Sequence, residues 1–73
     1  MNLPGRIVID TASCGGRPYF RGTRIPVYVV LEMLANGESR DDIRQEFPDL
    51  SETDLKHAIE FARDVASVPR QKK

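Results

Sequence analysis

The stretch Ser39-Arg40-Asp41-Asp42-Ile43-Arg44-Gln45-Glu46-Phe47-Pro48-Asp49-Leu50-Ser51-Glu52-Thr53-Asp54-Leu55 carries two helix starts and one stop between them. Ser39 fits an N-cap, and Asp41 and Asp42 fall in the first turn, where the helix dipole favours acids. Ile43 and Phe47 stand four apart and share one inward face. Pro48, which has no N–H to give, ends the helix. Ser51 opens a second helix, with Asp54 at the capping-box position more often held by Glu, and Leu50 and Leu55 at the hydrophobic-staple positions. Leu55, Ala58, Ile59 and Ala62 form its expected inner face, and Val65 and Ala66 extend it toward Pro69. Two helices about the four-residue turn Pro48-Asp49-Leu50-Ser51 have the dimensions of a helix-turn-helix.

Toward the N-terminus, Pro26 fits the first position of another helix. Val27, Val30, Leu31 and Leu34 recur at i, i+3, i+4 and i+7, one apolar stripe, and Gly37 fits a left-handed C-terminal cap. Arg6-Ile7-Val8-Ile9-Asp10 is a β-branched run that reads as a strand. Thr11 to Gly16 is a loop in which Gly15-Gly16 permits a tight reversal. Arg17 to Phe20 then returns beside the first strand, as an edge or irregular strand because Pro18 cannot donate to a ladder. The fold class is mainly α: a short N-terminal β-hairpin or arm, then a three-helix, helix-turn-helix-like domain. Residues 1–68 make a single domain, with the arm over 6–24 and the trihelical core over 26–66; residues 69–73 are a basic tail.

The chain has 73 residues, one cysteine and one histidine. Cys14 has no partner for an intrachain disulfide, and Cys14 with His57 cannot furnish a four-ligand zinc site. So small a chain buries little surface, so it is expected to work as a homodimer or on a partner protein. Ile7, Val8 and Ile9 are apolar at consecutive positions, a pattern of strands covered on both faces; these three are the candidate dimer interface. No apolar run reaches the roughly 18 residues of a membrane span, and Met1 to Arg6 lacks the apolar core of a signal peptide. A cytoplasmic location is the expectation.

Lys+Arg and Asp+Glu balance at 11 each, yet the charges are segregated. Residues 1–30 hold Arg6, Arg17, Arg21 and Arg24 against Asp10 alone, whereas acids outnumber bases over 31–65. Such asymmetry marks surfaces with different partners. The competing explanation is that the basic head lies against the acidic helices of its own chain or of a dimer mate.

Catalysis has little to build on. Cys14 sits in a loop and His57 on a helix, with no orienting motif between them. The carboxylates follow solvent-facing helix positions without metal-ligand spacing. Gly15-Gly16 lacks the lysine and Ser/Thr of a phosphate loop. No enzyme, cofactor or metal site is therefore expected. Binding has more. In a helix-turn-helix the start of the last helix reaches base edges, here Ser51, Glu52, Thr53, Asp54, Lys56 and His57. The two acids oppose phosphate contact, and capping explains Ser51 and Asp54 equally well. In the extended segment, Arg17, Tyr19 and Arg21 share one face, followed by Thr23 and Arg24. The candidate nucleic-acid or partner-binding residues are thus Arg17, Tyr19, Arg21, Thr23, Arg24, Ser51, Thr53, Lys56 and His57.

Together these residues resemble a known family. Gly15-Gly16-Arg17-Pro18, then Arg21-Gly22-Thr23-Arg24-Ile25-Pro26-Val27, then Leu31, Gly37, Ile43, Phe47-Pro48-Asp49-Leu50 and a last helix with Ala58 and Phe61-Ala62 look like the domain-of-unknown-function family 433. The likeness covers roughly residues 6 to 63; Phe47 and Phe61 stand where that family usually has tyrosine. The resemblance implies a small bacterial or archaeal protein with a helix-turn-helix-like trihelical domain. It also implies a gene neighbour encoding a PIN-like ribonuclease, and an antitoxin-like role similar to that of VapB antitoxins. It assigns no catalytic residue. Two functions are carried forward: an antitoxin that binds such a ribonuclease and also operator DNA, and a stand-alone DNA-binding transcriptional regulator.

Overall fold

The computed structural model describes residues 3–66. The basic tail, 69–73, lies outside the described residues. Two short strands, β1 (Ile7–Val8) and β2 (Tyr19–Phe20), pair antiparallel with Ile7 opposite Phe20 and Val8 opposite Tyr19. Three helices follow: α1 (Val27–Ala35), α2 (Arg40–Glu46) and α3 (Glu52–Ala66). The mainly α class with an N-terminal hairpin is the architecture found.

Between the strands the chain reverses at Cys14, Gly15 and Gly16, with φ of 51°, 65° and 79°. The segment after β2 folds back along its other edge. Phe20 N–H donates to the Ile25 carbonyl at 3.1 Å, and Val27 N–H donates to the Pro18 carbonyl at 2.9 Å. Pro18 precedes β2 and contributes only its carbonyl, so its missing donor costs the ladder nothing. Pro26 bridges Tyr19 and is still extended, with ψ of 146°, so it caps α1 rather than occupying its first turn as the sequence suggested. Its ring-fixed φ of −68° serves the bridge and the helix entry alike.

The caps hold the helices at the expected places. At the end of α1, Gly37 (φ 89°) donates to the Leu34 carbonyl and Glu38 N–H to that of Met33. This is the paired closure that a left-handed residue permits. Ser39 and Asp42 exchange side-chain and backbone hydrogen bonds at the start of α2. Ser51 and Asp54 do the same at α3.

Ile7, Phe20, Val27, Val30, Ile43, Leu50, Leu55 and Ala58 form the core, at the junction of the hairpin and all three helices. Two expectations change here. Ile7 is buried in the core of its own chain, so it is not available to a dimer interface; Val8 is half-buried and Ile9 is 52% exposed. Ile59 is exposed instead of inward, and Phe61 packs against the core. The helix axis is turned so that the packed face of α3 centres on Ala58, which lets Leu55 and Phe61 flank it.

Candidate functional site

The arm is held to the start of α3 by one side chain. Arg6 donates from Nη2 to Asp54 Oδ2 at 2.6 Å and from Nε to Oδ1 at 3.2 Å, a two-pronged pair. Its remaining donors reach the Arg21 carbonyl at 3.1 Å and the Asp49 carbonyl at 3.0 Å. The Arg6 hydrogen bond is the largest influence on the Asp54 carboxyl and holds it below its ordinary range against the opposing effect of burial; Ser51 adds to the lowering. The same bond raises the Arg6 guanidinium further. Asp54 is thereby a structural acid, buried and saturated with donors, rather than a charge presented to a partner.

The rest of the α3 start is also committed. Glu52 faces Arg40 at 3.6 Å and Arg44 at 3.9 Å, and Arg44 pairs with Asp41 at 2.8 Å. Thr53 and Lys56 are exposed, as is Ser51 apart from its cap bond. His57 is half-buried against Gly5, and its Nδ1 is buried without a hydrogen-bond partner. The four candidates on α3 and its cap thus divide: Ser51 and His57 serve structure, while Thr53 and Lys56 face solvent.

The five candidates on the arm divide as well. Thr23 Oγ1 donates to the Phe20 carbonyl at 2.7 Å and accepts from Ile25 N–H at 3.0 Å, closing the loop between them. Tyr19 is half-buried in β2. Arg17, Arg21 and Arg24 are exposed, and none has a carboxylate partner among the described residues. Arg6, Arg40, Arg44 and Arg63 all do. Among the described residues, the idea that the basic head lies against the acidic helices of its own chain therefore holds for Arg6 alone.

Arg17 stands over the Tyr28 ring, its guanidinium carbon 5.2 Å from the centroid. The two form the rim of a groove of about 400 Å³ whose other walls are Pro18, Val27, Leu31 and Phe61. The groove is assembled from the arm, α1 and α3, and the Val27-to-Pro18 hydrogen bond ties the first two together. Tyr28, Leu31 and Phe61 were not among the sequence candidates for binding. Leu31 belongs to the apolar stripe of α1, Tyr28 and Phe61 fall outside the expected inner faces, and only the packing of α1 against α3 brings the three together, with Tyr28 48% exposed in the first turn of α1. Two further clefts are polar: one of about 390 Å³ between Asp41, Arg44 and Pro48, and a smaller one of about 260 Å³ beside Cys14, Thr23 and Arg24.

Among the described residues no group of three His, Cys, Asp or Glu side chains is placed to hold a metal ion. No helix among them is long and apolar enough to cross a membrane. The surface thus offers exposed arginines on an arm and a mostly apolar groove beside the first of them. No curated protein and no solved structure matches the chain. A family model does, over residues 7–62, nearly the whole of the described fold, and the chain belongs to that family, the proteins of unknown function described as DUF433.

Proposed function

We propose that this chain is an antitoxin-like component of a toxin–antitoxin system, a cytoplasmic protein that binds and neutralises a PIN-like ribonuclease toxin. The observation that carries the reading is the sorting of the arginines: Arg17, Arg21 and Arg24 lie on one arm with no acid paired to them among the described residues, while the start of α3 is neutralised internally. A cationic arm on a small rigid scaffold suits an acidic protein surface and speeds encounter with it. The working unit is a homodimer, with Ile9 beside Val8 as its apolar edge. The test is co-expression with the product of the adjacent gene. Co-purification and restored growth are expected, both lost in the triple variant R17A/R21A/R24A; no binding and no rescue by the wild-type chain overturns the reading.

Operator DNA is the second ligand of this reading, and the alternative function is a stand-alone transcriptional regulator. The helix–turn–helix order of α2 and α3 and the exposed Thr53 and Lys56 favour it. Phosphate contacts make binding fall steeply with salt, by about one unit of log–log slope for each contact. Binding to upstream DNA whose salt slope flattens in R17A, R21A and R24A supports the arm as the phosphate contact. A slope unchanged in all three excludes it.

A further inference from the structure

We infer that the groove walled by Pro18, Val27, Leu31 and Phe61 and rimmed by Arg17 and Tyr28 docks a protein segment that presents a large apolar side chain next to a carboxylate. The inference rests on the protein-partner reading above and names where and how the partner is held. A groove of about 400 Å³ lined by valine, leucine, proline and two aromatic rings has room for one large side chain. Its walls come from three elements, the arm and α1 tied by the Val27-to-Pro18 hydrogen bond and α3 packed on the core through Phe61, so little ordering is needed on binding.

Charge complementarity selects the neighbour of that side chain. Arg17 is the one charged residue lining the groove, and it has no acid among the described residues. Placement over the Tyr28 ring holds the guanidinium at the rim. The N–H donors are left free to meet a carboxylate with two parallel bonds. One cation balances one carboxylate; a phosphate would leave a charge uncompensated at an apolar wall. A nucleic-acid strand is a poorer fit, because it needs a track of cations along successive phosphates, and the groove lining holds one.

The probe is 3-phenylpropanoate, titrated into the isotope-labelled full chain and followed by NMR. Its alcohol analogue 3-phenylpropanol and the ring-free diacid glutarate serve as comparisons. The expected result is saturable shifts at Tyr28, Leu31, Phe61 and Arg17 Nε, with the acid bound about tenfold more tightly than the alcohol. Glutarate leaves Tyr28 and Phe61 unmoved. Arg17→Gln makes acid and alcohol equal, and Tyr28→Ala, at a half-exposed position outside the core cluster, weakens both. Shifts centred elsewhere, equal binding of acid and alcohol to the wild-type chain, or an unchanged preference in R17Q overturns the inference. So does displacement of the same resonances by oligothymidylate when 3-phenylpropanoate leaves them unmoved.

The same two variants separate this inference from the antitoxin reading. Each is expected to weaken the nuclease complex about tenfold. A nuclease bound equally by wild type, R17Q and Y28A leaves the antitoxin reading standing and removes the groove. A groove that discriminates acid from alcohol on a chain that binds no nuclease keeps the docking site and removes the antitoxin reading.

Discussion

Arg6 and Asp54, 48 residues apart in sequence, are joined by two hydrogen bonds of 2.6 and 3.2 Å, and Asp54 in the same geometry caps α3. One carboxylate thus closes the long loop from the N-terminal arm to the last helix and satisfies the backbone at that helix start. Breaking a buried pair leaves an uncompensated charge, at a cost of about 3–5 kcal/mol when burial is complete. The Arg6 side chain is 37% exposed, so solvent screening reduces this to about 2 kcal/mol for Arg6→Ala. Asp54→Ala loses the cap as well, about 1 kcal/mol more. Urea unfolding of both single variants and the double variant measures the coupling; additive losses would show that the pair does not act as a unit.

Acid stability follows from the same carboxylate. Its pKa is lowered in the folded chain below the ordinary 3.8. The resulting stability is complete above the ordinary value and disappears as pH falls through the lowered one. Asp54→Asn is therefore expected to be less stable than wild type at neutral pH, with the gap closing at the acid end. A gap that stays constant on acidification would show that the carboxylate charge is not responsible.

Gly5 and His57 form a second long-range contact. A Cβ at Gly5 would overlap His57 Nδ1, on a backbone with φ of 55°. Gly5→Ala has to expel the imidazole and accept a left-handed alanine, so a loss of about 2 kcal/mol is expected. In a His57→Ala background only the backbone part, about 1 kcal/mol, remains. Equal losses in the two backgrounds would exclude the steric contact.

The arm arginines are expected to be silent in stability. Arg17, Arg21 and Arg24 pair with no acid among the described residues, so in R17A, R21A and R24A thermal unfolding should move by no more than about 0.5 kcal/mol. Phe20→Ala, at a fully buried core position, should cost about 3–5 kcal/mol by comparison. A large loss in any of the three would mean that the arm's charge is structural and would weaken its assignment to binding.

Dimerisation can be read independently. Ile9 is 52% exposed just past β1, and Ile9→Asp is expected to shift the sedimentation of the chain from dimer to monomer at tens of micromolar, roughly the range of weak association. A monomeric wild-type chain at that concentration would remove the dimer from the proposal.

Local chemistry set much of this fold. The Ser39 N-cap, the Ser51–Asp54 box, the Gly37 cap and the valine and leucine stripe of α1 depend on neighbours within a few residues, and all are where the sequence places them; that Asp42 completes a second box with Ser39 is seen only in the structure. Contacts between distant segments were beyond it. Ile7 entered the core of its own chain because β2 and the helices close over it, and Ile59 turned outward because α3 rotates to pack Phe61 against the core. The sequence alone determined that arginines are gathered between Arg17 and Arg24. Only the tertiary structure decided which cations are spent, since Arg6 finds Asp54 across the fold while Arg17 finds Tyr28. Hydrogen-bond partners at short separation are fixed by backbone geometry, whereas pairing across 48 residues depends on how whole elements pack.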